Sequence, residues 1–294
     1  MVNITDELSR FLSYPVPYSC VAWAAAMESA LSLPSSADTA VVQAACAGGH
    51  SADTLFGGEL FCHQPLRGYR FSVDAVLLAH FVRPRHDGRI LDLGCGCGVV
   101  ALILAYRCPT CTLVGIEYQA ELALLARANV DHNGFQERMQ ILAANVRQVS
   151  AILAPESFDL VVCNPPYFSE GRGRISQDIQ VAQARHGLLA SLDDFICAAA
   201  FAVKNRGRVV FIFPASGQAQ LQQLLLARRL MPKRIQMIYS SPTIENARLV
   251  LVEAMKNGGA DCQVLPPFYL YTQPGVYSEA MQRLYQEGRC WPKC

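Results

Sequence analysis

From residue 89 onward the chain alternates short apolar runs with amphipathic stretches, and this pattern constrains the fold more than any other feature of the sequence. The runs at 89–93, 112–116, 139–143, 158–163, 208–213, 235–239 and 248–255 are predicted strands. The stretches at 99–106, 120–132, 147–153, 192–203 and 216–230 are predicted helices. Strand and helix in strict alternation imply a mostly parallel sheet covered on both faces. Between the last two strands lie only residues 240–247, too few for a parallel crossover, so the final strand should run antiparallel to its neighbour. The expected fold class is α/β, a doubly wound, Rossmann-like, seven-stranded sheet with one antiparallel edge hairpin and a small N-terminal extension.

The flanks are less legible. Residues 1–53 are rich in Ala and Ser, broken by Pro15, Pro17, Pro34 and Gly48-Gly49, and read as a helical extension of unknown role. Residues 54–84 read as a small module before the main domain, with strands at 59–63 and 68–71 and a helix capped by Ser72. The main domain then spans 85–260, and 261–294 form a C-terminal extension. The uncharged stretch from Phe11 to Met27 is too short for a bilayer and lacks a preceding basic cluster, so no membrane partner is expected and the default compartment is the cytoplasm. The 12 Cys are scattered through apolar segments, as in a reducing compartment, and Cys108-Pro-Thr-Cys111 has no second pair to complete a zinc site. No metal is expected.

The first strand of the main domain ends in Ile90-Leu-Asp-Leu-Gly-Cys-Gly-Cys-Gly98 and opens a helix. Gly94, Gly96 and Gly98 permit positive φ and a close approach to a ligand. The dinucleotide fingerprint would need a glycine at position 99, which is Val99, so the spacing favours the methyltransferase loop and S-adenosylmethionine as cofactor. Asp92, just before the loop, suits the cofactor's ammonium or a water beside it. Glu117 follows the second strand, where a carboxylate can accept both ribose hydroxyls. Read alone it serves equally as an ordinary acid at a helix N-terminus, and the glycine loop beside it favours the ribose. Asn145, in the third strand-to-helix turn, stands where an acid would accept from the adenine amino group, and its amide oxygen can still do so.

The fourth strand ends in Asn164-Pro165-Pro166-Tyr167-Phe168. An amino group conjugated to a ring or carbonyl is a weak nucleophile, because its lone pair is delocalised. The Asn164 side-chain oxygen and the Pro165 carbonyl can accept its two N–H protons and aim the lone pair at a sulfonium methyl. The two prolines fix the turn, and Tyr167 offers a face for a flipped base. The motif specifies N-methyl transfer and leaves adenine, guanine and glutamine open as acceptors.

With Gln64-Pro-Leu-Arg-Gly-Tyr-Arg-Phe-Ser-Val-Asp-Ala-Val-Leu-Leu78, Ala184-Arg-His186 and Gly275-Val-Tyr-Ser-Glu279 added, the chain resembles the bacterial tRNA(Val) adenine-N6-methyltransferases over residues 53–287. The resemblance implies a tRNA partner, adenine N6 as target, and Phe71 and Asp74 closing the cofactor pocket. The net charge of +1 excludes coating of nucleic acid by bulk charge. Between Phe201 and Gly259, however, nine basic residues are opposed only by Glu245 and Glu253. Arg172, Arg174 and Arg185, in the loop after the tetrad, together with Phe168, are the expected substrate contacts. The rival readings are a glutamine N5-methyltransferase of peptide release factors, which shares both motifs, and a non-catalytic RNA-binding module that keeps the fold.

Overall fold

The computed structural model describes residues 50–66, 72–166 and 190–286. Phe71, Tyr167, Phe168, Arg172, Arg174 and Arg185, and nearly all of the N-terminal extension, lie outside them, as does the strand expected at 68–71. The main-sheet strands are β3 (Arg89–Leu93), β4 (Thr112–Glu117), β5 (Met139–Ala143), β6 (Phe158–Cys163), β7 (Val203–Pro214), β8 (Leu230–Tyr239) and β9 (Leu249–Lys256), with two-residue additions β10 (Gln263–Val264) and β11 (Phe268–Tyr269). The spatial order is β10-β8-β9-β7-β6-β3-β4-β5, and β11 also pairs with β8. Strands β3 to β7 are mutually parallel; β9 is antiparallel to both β7 and β8.

The seven expected strands are therefore present, with two corrections. The edge hairpin is covered by β10 and β11, making nine strands, so the chain after residue 260 completes the sheet instead of standing apart from it. Before the main domain, the hairpin pairs β1 (His50–Leu55) with β2 (Leu60–Pro65), and it begins ahead of the boundary drawn after residue 53. Its first strand, His-Ser-Ala-Asp-Thr-Leu, has almost no apolar signal and forms because β2 supplies a partner.

Pleating sorts the side chains into two cores. Ile90, Leu160, Val162, Val210 and Ile212 face α1 (Val73–Phe81), α2 (Val99–Arg107) and α3 (Ala120–His132). Leu91, Leu93, Val161, Cys163, Val209 and Phe211 face α4 (Val149–Ile152), α5 (Leu192–Ala202) and α6 (Gln218–Ala227). Apolar residues on both faces explain why these strands read as continuous hydrophobic runs. Ser72 does cap α1, accepting from Asp74 N at 3.3 Å. Every residue of α1 after Val73 is buried, since it also packs on α2 and on α7 (Glu279–Gln286). Cys108 and Cys111, expected as thiols, are joined as a disulfide across the α2–β4 turn, with Cα atoms 5.5 Å apart.

Candidate active site

The site is built at the carboxyl ends of the parallel strands, where doubly wound sheets hold their ligands. Leu93 pairs with both Ile116 and Cys163. The residues that follow, Gly94, Glu117 and Asn164, therefore leave three neighbouring strands at one level. Gly94, Gly96 and Gly98 all have positive φ, at 72°, 59° and 87°. A Cβ on Gly94 would also stand 3.0 Å from the ring of Phe195, so this turn accepts glycine on two grounds. Gly94 N and Cys95 N both donate to Ile116 O, at 2.8 and 3.0 Å, which fastens the loop to β4.

Glu117 is buried, and its two carboxylate oxygens accept from Gly96 N at 2.9 Å and Gln119 N at 2.8 Å. Its pKa is raised by burial, against the pull of those backbone donors. The side chain is thus first a strut of the loop, and each oxygen keeps a further lone pair for a ligand. Asp92 lies on the α2 side of the sheet and is fully enclosed, with no partner for Oδ2 among the described residues. Burial pushes its carboxyl up to about 7, opposed by the Ala101 backbone N–H and assisted by the negative charge of Glu117. An orphaned, buried carboxylate oxygen beneath a positive-φ glycine loop fits a cationic ligand group. The amino-acid end of S-adenosylmethionine supplies one.

Asn145 caps a 3-10 turn, its Oδ1 accepting from Arg147 N at 3.0 Å. That oxygen has a structural partner already, although it stands one strand further along the same edge. Asp74 is also buried, with Oδ1 lacking a hydrogen bond among the described residues and 3.9 Å from Arg248 Nη2. Its pKa is raised by burial, against the effects of Arg248 and Ser72. Arg248 immediately precedes β9 and its carbonyl accepts from Ala215 N, so Asp74 reaches the same end of the sheet as Asn164. Asn164 and Pro165 follow β6 directly, Pro165 buried and Pro166 exposed.

Sequence reasoning missed Asn129. This wholly buried residue of α3 accepts from His63 N at 2.7 Å and donates to His63 O and Cys97 O, both at 2.9 Å. One amide thereby clips the β1–β2 hairpin to the glycine loop, and Asn133 adds bonds to both backbone groups of Phe61. The signal was present, since an amide sits on the apolar face that Leu122, Leu125 and Ala126 define. The nine basic residues between Phe201 and Gly259 are less available than their count suggests. Lys204, Arg208, Arg228, Lys233, Arg234, Arg248 and Lys256 all pair with carboxylates.

The model of the methyltransferase small domain family matches residues 71–213, from before α1 to the end of β7. The tRNA1(Val) (adenine(37)-N6)-methyltransferase of Porphyromonas gingivalis is 32% identical over 187 residues, covering 62% of this chain and 72% of that protein. The chain belongs to this family of S-adenosylmethionine-dependent methyltransferases. The protein of the same name from Shewanella halifaxensis is 28% identical over 75% of this chain and 92% of its own length. Among solved structures, a predicted O-methyltransferase from Agrobacterium tumefaciens superposes with a TM-score of 0.60 at 24% identity, over 74% of this chain and 98% of its own. That likeness establishes the fold. As a methyltransferase of this family, the chain uses S-adenosylmethionine, consistent with the loop spacing. Among the described residues no helix is long and apolar enough to cross a membrane.

Proposed function

We propose that this methyltransferase transfers a methyl group to N6 of an adenine in tRNA, with cytoplasm as its compartment. The observation that carries the reading is the register of β3 with β6, which sets Asn164-Pro165 beside the glycine loop, together with the tRNA adenine-N6 activity named for its relatives. Bound S-adenosylmethionine supplies an electrophilic methyl on a sulfonium. Asp92 and the backbone of Gly94 to Gly98 would hold its amino-acid end, Glu117 its ribose and Asn145 its adenine, with Phe71 and Asp74 closing the pocket. The Asn164 amide oxygen and the Pro165 carbonyl accept the two N–H bonds of the target amino group, orienting its lone pair without removing a proton beforehand. Pro166 stiffens the turn. Tyr167 stacks on the flipped base, and Phe168, Arg172, Arg174 and Arg185 contact the nucleotides around it.

The test is a methylation assay with radiolabelled cofactor on total tRNA, ribosomal RNA and peptide release factors. Label in tRNA, recovered as N6-methyladenine after digestion, is the expected result. Label in release factors alone would transfer the chemistry to a glutamine side chain. No label with any acceptor, despite cofactor binding, would favour a non-catalytic role.

A further inference from the structure

Two adjoining cavities open at the end of the sheet opposite the glycine loop. One, of about 680 Å3, is lined by Arg206, Arg208, Lys233 and Arg234. The other, of about 230 Å3, is lined by Arg83 and Arg85 and shares Arg208 and Arg234 with the first. Between them the linings hold six basic and three acidic residues. Arg208 and Arg234 both pair with one carboxylate, Glu253, on the wall that the two cavities share. Arg234 is buried there, its guanidinium 4.3 Å over the Phe81 ring and bonded to Phe81 O at 2.7 Å. In such surroundings a charge is weakly screened and its field is felt along the groove. Lys233 and Asp159 are already matched, with Asp261 and Lys204 respectively. Around the rim, Arg83, Arg85 and Arg206 are exposed and form no ion pair among the described residues.

We propose that this groove binds phosphates of the RNA backbone, as a second anchoring site for the same molecule whose base is presented at the carboxyl edge. The proposal rests on the tRNA reading above. Planar guanidinium groups suit phosphate oxygens, and here they line two adjoining cavities, as a chain of phosphates requires. The groove and the tetrad lie at opposite ends of β6, separated by the run from Asp159 to Asn164, about 16 Å of strand. A folded tRNA is far longer than that separation and can wrap the sheet edge to reach both. Acids from other parts of the chain pair with most of the basic half, Asp159 and Asp261 among them at this groove, while Arg83, Arg85 and Arg206 stay exposed on its rim.

The experiment compares the full-length protein with the double variant Arg83→Glu, Arg206→Glu, neither residue being near the cofactor loop or the tetrad. Binding of a tRNA1(Val) transcript is measured over a range of salt concentrations, with S-adenosylhomocysteine affinity and melting temperature as folding controls. The expected result is at least about tenfold weaker tRNA binding and a salt slope smaller by about two, with cofactor affinity unchanged. Should the reversal unfold the protein, Arg83→Gln with Arg206→Gln removes the same two charges and carries the same expectation for the slope. An unchanged affinity and slope in a folded variant, while the wild type methylates tRNA, would overturn the groove and leave the functional reading intact. If pyrophosphate raised the wild-type melting temperature but not the variant's, with tRNA binding unaltered, the site would belong to a free phosphate compound and the proposal would fail. A wild type that neither binds nor methylates tRNA would remove the tRNA reading itself, and the groove with it.

Discussion

Leu93 and Cys163 are register partners at the ends of β3 and β6, and Cys163 Sγ donates to Leu93 O at 3.6 Å. Parallel strands lie about 4.8 Å apart, so the residues after this pair, Gly94 and Asn164, are neighbours although 70 positions separate them. The loop that would hold the cofactor and the turn that would hold the acceptor nitrogen are thus placed by backbone pairing. Small errors in that pairing would separate them, and buried Leu93 and Cys163 lock it.

Asn164→Ala should leave S-adenosylhomocysteine affinity nearly intact and lower turnover by roughly 10²–10³, the scale of losing one preorganised polar contact. Tyr167→Phe should be mild, whereas Tyr167→Ala should weaken substrate binding by about 1–3 kcal/mol. Steady-state kinetics and cofactor titration separate the two effects. Near wild-type turnover in Asn164→Ala would rule out the mechanism.

Asp92 gives the ligand-free protein a definite pH dependence. Its folded pKa of about 7 exceeds the unfolded value of 3.8, so the folded state binds the extra proton between them. Its contribution is most favourable below about pH 4 and is lost as pH rises through about 7, by about 4 kcal/mol. Asp92→Asn should therefore be more stable than wild type at pH 8 and bind cofactor less well. Denaturant unfolding at pH 5 and pH 8 measures the difference between the two proteins. Equal differences at both pH values would mean that Asp92 is not titrating in this window.

Glu117→Ala removes the acceptor of Gly96 N and any bond to a ribose. Hydrogen bonds to a charged group contribute about 1.5–3 kcal/mol each, so cofactor affinity should fall at least about tenfold. Glu117→Gln keeps an acceptor for Gly96 N–H and should fall between the two. Calorimetry decides it: an unaltered dissociation constant in folded Glu117→Ala would leave Glu117 as a structural acid alone.

Asn129→Ala would strand His63 N and the carbonyls of His63 and Cys97 in the interior. The expected loss of stability is about 3 kcal/mol, with weaker cofactor binding because the β1–β2 hairpin no longer braces the loop at Cys97. Urea unfolding and cofactor titration read the two losses separately. A stable variant with normal affinity would show that the clip is dispensable.

The seven main strands, the antiparallel last strand, the glycine loop and the Asn-Pro-Pro turn were all legible in the sequence, because each depends on local pattern. Apolar period marks the strands, glycine spacing marks the turn, and prolines fix Asn164. Strand β1 was not legible, since its polar residues are held by pairing with β2, which Asn129 and Asn133 in turn fasten to α3. Neither was the covering of the hairpin edge by β10 and β11. Charge was the least legible. Counting nine basic residues suggested one cationic half, but whether a charge is free depends on which acid folds beside it, and Asp74, Glu156, Asp159, Asp193 and Asp261 come from outside that segment. The sequence by itself determined the class of fold and the chemistry its motifs can perform. Only the tertiary structure decided which carboxylates are buried and which arginines remain exposed at the far end of the sheet, because desolvation and ion pairing depend on neighbours that are distant along the chain.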